Sequence, residues 1–212
     1  MFFKKTPKHD GLIGFYGLSE WWHTSFTDEE KETILEKYSR YNSQHQLLTG
    51  FVDERAQTAV AFLAYLAQWF TTVDPVISAK MMEKAEGLLE SALPTEMKFS
   101  ILASCIEIYY KTKDSQNFIT RFDRAGKSLM EILPDYEPFH LESGMRFKID
   151  SYCLILLVAV YKKAGRYPEA AYIATQAKSK NWPGDWDHQL SIIKKKQQLF
   201  GTGQKIIHAR PK

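Results

Sequence analysis

The chain has 212 residues, 44% of them hydrophobic and 25% charged, and its 28 Lys and Arg against 25 Asp and Glu leave a formal net charge of +3. That length supports a sizeable core within one domain, and the balance excludes a disordered chain, a collagen-like chain and a strongly charged tail protein. Few breakers (8 Pro and 11 Gly) beside 5 Trp, 11 Tyr and 13 Phe point to helices packed through large side chains.

The start, from Met1 to His9, is basic but has no apolar stretch of signal-peptide length before Gly11 and Gly14. Residues 1–26 therefore read as an aromatic N-terminal segment, in which the run from Phe15 to His23 holds the adjacent pair Trp21 and Trp22. Neighbouring Trp residues do not both enter one core from a helix, so one is expected to cover the first helix pair and the other to reach a partner. From Thr27 the run TDEEKETILEKY predicts a helix opened by a capping box of Thr27 and Glu30, with Ile34, Leu35 and Tyr38 as its apolar stripe. Arg40 to Gly50 reads as a loop. Asp53 is the expected cap of a helix reaching Phe70, whose Ala56, Ala59, Ala61, Ala64 and Ala67 permit close packing.

Asp74-Pro75 opens the next helix, with Pro at a position where its missing N–H costs nothing, and the pattern runs to about Ala92 before Pro94. A helix from Thr95 to about Tyr110, a polar turn from Thr112 to Ser115 and a helix from Phe118 to Leu133 follow. Pro134 to Gly144 reads as a longer connection. Arg146 to Ala164 forms an apolar helix, and its run from Cys153 to Val160 is about half the length that spans a bilayer. Tyr167 to Ser179 is a shorter helix, Asn181-Trp-Pro-Gly184 a breaker, and Asp185 to Phe200 a last helix stopped by Gly201-Thr-Gly203.

A shift of 40 residues lays Ala85, Leu89, Leu93 and Pro94 on Ala125, Leu129, Leu133 and Pro134, and Trp69-Phe70 on Tyr109-Tyr110. Repeated helix pairs, each too apolar on one side to stand alone, are the units of an α-solenoid. Within this pattern Tyr161-Lys-Lys-Ala-Gly165-Arg-Tyr167-Pro-Glu169-Ala170 resembles the turn and second-helix start of a tetratricopeptide repeat. Gly165 matches the small residue of the turn, Tyr167 the aromatic after it, Ala170 the small residue where the helices cross, and Leu154, Leu157 and Tyr161 the first-helix pattern. The resemblance covers residues 151–183 and implies an all-α fold of antiparallel helix pairs, stacked as a short right-handed superhelix of about eight helices with a peptide-binding concave side.

No phosphate loop, dinucleotide fingerprint or HExxH is present, and the six His are not spaced as ligands, so neither a metal nor a cofactor is expected. His140 and Glu142 read as a solvated loop, and Cys105 and Cys153 as inert core thiols in a reducing, cytoplasmic setting. No catalytic constellation emerges, and the expectation is a non-enzymatic module that binds a protein or peptide, with no membrane partner. Its domain is expected to span residues 27–200. Groove candidates from the first helices are Gln57, Tyr65, Gln68, Lys98, Glu107, Arg146, Asp150 and Lys162, with Trp21 and Trp22 as edge anchors. The end of the chain carries Lys194, Lys195, Lys196, Lys205, Arg210 and Lys212 with no acidic residue after Ile192, and residues 201–212 read as a basic tail. That tail supports an alternative, a nucleic-acid-associated regulator whose lysines meet phosphates, and a homodimer formed through the groove is a third reading.

Overall fold

The computed structural model describes residues 11–41, 47–50, 52, 58–89, 93–115, 117–136 and 145–207, with the side chains of 41, 145–150 and 200–207 outside that description. The protein is all-α: the described residues form ten α-helices and no strand. They gather into two compact units, Met1–Leu88 and Leu89–Lys212.

The first unit holds α1 (Leu12–Phe15), α2 (Ser19–Ser25), α3 (Asp28–Tyr41), α4 (Ala59–Phe70) and α5 (Pro75–Gly87). The first two account for the excess over the eight helices expected; each is short, and the glycines around them hide their pattern. The capping box forms as its sequence predicts, with Glu30 N–H donating to Thr27 Oγ1 at 3.2 Å and Thr27 N–H to Glu30 Oε2 at 2.8 Å. Glu30 has a second task, because both its oxygens accept from Lys80 Nζ of α5 at 2.7 Å, which ties the start of α3 to α5. Asp53 lies outside the described residues, and the described helix α4 opens under a cap from Thr58, whose side chain accepts from Ala61 N–H. Asp74 caps α5 at Val76 and Ile77, with Pro75 in the first turn. Buried Ser78 donates to Ala67 O at 2.8 Å and so joins α5 to α4 without leaving its hydroxyl unsatisfied. Helix α5 ends at Gly87, earlier than the expected Ala92, as Leu88 N–H turns back to Ala85 O. The segment after Tyr41 is not wholly a solvated loop, for Leu47 is fully buried.

The second unit holds α6 (Thr95–Lys111), α7 (Phe118–Ile132), α8 (Met145–Lys163), α9 (Tyr167–Ser179) and α10 (Trp186–Ile207). Helix α6 packs on α7 and on α8, α8 on α9, and α9 on α10. The α8–α9 turn uses Gly165 at φ 74°, where Gly165 N–H bonds to Lys162 O and Arg166 N–H to Tyr161 O, a left-handed closure that a side chain would strain. Asn181 at φ 54° closes α9 in the same way, with Trp182 N–H on Ala177 O. The indole of Trp182 then enters the core beside the stacked rings of Phe99 and Tyr136, whose centroids are 3.9 Å apart. Lys180 Nζ donates to Pro134 O and Tyr136 O at 2.7 Å each, satisfying carbonyls that the end of α7 leaves free. Helix α10 does not stop at Gly201 but continues through Gly203 to Ile207, because glycine costs a helix only about 1 kcal/mol per residue and does not forbid it.

The 40-residue repetition survives on the inner faces alone. Met82 and Phe122, and Ala85 and Ala125, are buried at equivalent positions, whereas Pro94 precedes α6 and Pro134 follows α7.

Helix α7 meets α8 at Gly126, where an added Cβ would run into Tyr161 Oη and lie 2.8 Å from Leu157 Cδ2. Gly126→Ala is therefore expected to destabilise the chain by about 1–3 kcal/mol in urea unfolding. Gly87→Ala, where an added Cβ meets nothing within 4 Å, is expected to stabilise it by about 0.5 kcal/mol.

Candidate functional site

Helix α8 is enclosed on most of its circumference, with Ser151, Cys153, Leu154, Leu156, Leu157, Val158 and Tyr161 buried. What escapes is a stripe at intervals of three and four residues: Tyr152 at 48% exposure, Ile155 at 42%, then Ala159 and Lys163. The spacing puts all four on one helical face. At the C-terminal end of this face lies a groove of about 540 Å³ lined by Tyr110 of α6, Phe118 and Ile119 of α7, and Ala159, Val160, Lys163 and Ala164 from the end of α8. Lys113 and Asp114 of the α6–α7 turn complete it, and Lys113 Nζ stands 5.6 Å from the centre of the Tyr110 ring. The turn is held by Thr112, whose N–H and hydroxyl both donate to Tyr109 O at 2.9 Å. Ile119 remains 62% exposed although it follows the buried Phe118, so the groove has an uncovered apolar wall.

The two helices that form this wall are fixed by a polar cluster beside Gly126. Asp123 of α7 accepts from Arg166 Nη1 and, at 2.9 Å, from Lys127 Nζ, while Arg166 Nε donates to Glu169 Oε1 at 2.9 Å. The guanidinium lies over the Tyr161 ring, 4.3 Å from its centre. Burial pushes the Asp123 carboxyl up, but the hydrogen bonds and charges of Lys127 and Arg166 outweigh it and hold the group below its ordinary value of 3.8. The Tyr161 phenol moves upward, first by burial and then by the negative charge of Asp123. Burial opposes the charge on Arg166, but its bonds to Asp123 and Glu169 outweigh that and drive its pKa up, so Asp123 and Arg166 both carry their charges at neutral pH.

The residues singled out from sequence fall in both units, and the side chains of several lie outside the described residues. Trp22 is 2% exposed and packs on Phe26, so it is a core residue and unavailable as an anchor; its neighbour Trp21 is half-buried with its ring edge-on to Phe26. Tyr65 and Gln68 are exposed one turn apart on α4, in the same unit as Trp21. Lys98 and Glu107 are half-buried on α6 in the second unit. Lys162 points to α10, donating to Gln189 Oε1 at 2.5 Å, and burial followed by the charge of Lys196 lowers its pKa. Arg146 and Asp150 belong to α8, but their side chains, like that of Lys205 in α10, are outside the described residues, as are Gln57, Arg210 and Lys212 entirely. Lys194, Lys195 and Lys196 are exposed on α10.

The apolar residues of the stripe were missed because α8 has almost no polar face against which an exposed one would stand out. Cys105 and Cys153 are buried free thiols, and among the described residues no group of three His, Cys, Asp or Glu is placed to hold a metal ion. His140 and Glu142 lie outside those residues. No described helix is long and apolar enough to cross a membrane. No protein-family model matches the chain, and no curated protein or solved structure matches it.

Because the folded-state pKa of Asp123 is depressed, the stability it contributes is present above the carboxylate range and lost as pH falls through it. The stability gap between the wild type and Asp123→Asn, measured by urea unfolding, is expected to be about 1 kcal/mol at pH 7 and to close towards pH 3. An unchanged gap at pH 3 would remove the ionised carboxylate from the account.

Proposed function

We propose that the chain is a non-enzymatic binding module that takes a polypeptide segment along the uncovered face of α8 and into the groove at its end. The observation that carries this reading is the continuity of Tyr152, Ile155 and Ala159 with a groove walled by Ile119 and Val160. Contiguous exposed apolar surface rimmed by charge is characteristic of interaction sites, and Tyr is a frequent anchor in them. The order of packing, in which α6 meets both its own partner α7 and the next first helix α8, supports a tetratricopeptide-like stacking of pairs. In such an array the first helices offer the ligand-facing side, and Lys163 supplies a cation within the groove. A reducing, cytoplasmic setting agrees with two free buried thiols on α6 and α8.

The test is selection of a peptide-display library on the full chain, followed by affinity measurement of the enriched peptides. Ile155→Asp, at an exposed position where folding is not at risk, is expected to weaken them about tenfold or more, and Tyr152→Ala comparably. Replacing Lys194, Lys195 and Lys196 by Gln should leave the affinity unchanged. Peptides that bind the Ile155→Asp chain as well as the wild type would place the binding surface elsewhere.

A further inference from the structure

The apolar stripe of α8 ends on a cation. Tyr152, Ile155 and Ala159 lead to the exposed Lys163, which lies about 17 Å along the helix axis from Tyr152. Lys113, from the α6–α7 turn, lines the same groove, with its ammonium held over the ring of Tyr110. Among the described residues neither ammonium has an ion pair or a hydrogen bond. Asp114, beside Lys113, is the carboxylate of the lining, and the last turns of α6 and α8 add Lys111 and Lys162. Two helix C-termini weigh against these cations with about half a negative charge each, which leaves the rim positive.

Charge and shape together narrow the occupant. A two-fold contact with a second copy would lay the stripe on itself; from Tyr152 to Lys163 the chain has no carboxylate, so the lysine would be covered unpaired. A phosphate backbone would use the cations, but it would leave Tyr152, Ile155 and Ile119 uncovered and would meet Asp114. A lipid surface calls for a broad apolar face, whereas this one is a single stripe that leads into a groove. A polypeptide with apolar side chains beside a carboxylate satisfies both halves of the site. Its apolar side chains cover Ile155, Ala159 and Ile119, and its carboxylate takes the ammonium groups of Lys113 and Lys163. The stripe has the length of about five residues of extended chain or about three turns of helix.

We infer that the segment bound along α8 is acidic at one end, with an Asp or Glu side chain taken by Lys113 and Lys163 and apolar side chains laid along Ile155 and Ala159. This rests on the reading of α8 as a peptide-binding face and names the chemistry of the ligand. The probe is a set of peptides about ten residues long, selected by display on the full chain and made with amidated C-termini, so that only side-chain carboxylates are offered. Each is also made with its acidic side chain changed to the matching amide and to Lys. On the wild type the acidic form is expected to bind about three- to fivefold more tightly than the amide form, an advantage that fades as salt rises. Lys163→Glu, at an exposed position, should invert the order, so that the Lys form binds best. Tyr152→Ala, which removes no charge, should weaken all three forms alike. The inference is overturned by selected peptides that lack acidic residues, by equal binding of the acidic and amide forms, by an order that Lys163→Glu leaves unchanged, or by self-association of the chain that Tyr152→Ala abolishes. In each of the peptide outcomes a loss on Tyr152→Ala still upholds the α8 face as the binding surface. Binding that Tyr152→Ala leaves intact overturns that reading and this inference together.

Discussion

A helix without a polar face has to be surrounded, and α8 is such a helix. Its buried positions between Ser151 and Tyr161 point to several sides, and α6 and α9 pack against it while Gly126 brings α7 within contact of Leu157 and Tyr161. Burying each large side chain of this helix contributes about 1.5–3 kcal/mol, so covering it is a large share of what holds the second unit together. The same requirement defines what is left over. Three neighbours cannot close a full circle around a cylinder, and the gap they leave runs along Tyr152, Ile155 and Ala159. The candidate site is the uncovered remainder of the core-forming helix, which is why it is apolar and why it is rigidly backed.

Polar interactions around that helix set its geometry more than its stability. An ion pair as exposed as Asp123 with Arg166 contributes about 1 kcal/mol or less, a small amount beside the apolar term. Its value is positional: the Arg166 side chain follows the left-handed Gly165 turn directly, reaches back to α7, and lies over Tyr161 on the way. Lys180 performs a similar service at the far end, where the residue before the Asn181 turn holds carbonyls of the α7 terminus. In both places the turn that ends one helix delivers a cation to its neighbour, so the local chemistry of a C-cap also fixes a tertiary contact.

What could be read from the sequence was local. The Thr27 and Glu30 box, the Asp74-Pro75 start, the Thr112 turn, Gly165 and the Asn181 breaker each rest on short-range chemistry, and each stands where it was expected. Spacing along one helix says less about which face a neighbour covers. Trp22 looked like an anchor and is core because α2 turns it inward against Phe26. Tyr152 and Ile155 are surface residues that the sequence did not single out, since nothing in a helix apolar all round marks the side that stays open. Gly201 and Gly203 looked like a stop, but with no Pro and no competing cap the helix runs through them.

The way the exposed stripe of α8 is backed bears on recognition. The α8 face is held by α6, α7 and α9, so a ligand there meets a pre-formed surface and loses little in ordering it. A rigid apolar groove of this kind draws its affinity from preorganisation, since neither its walls nor its backing have to be ordered when it is filled.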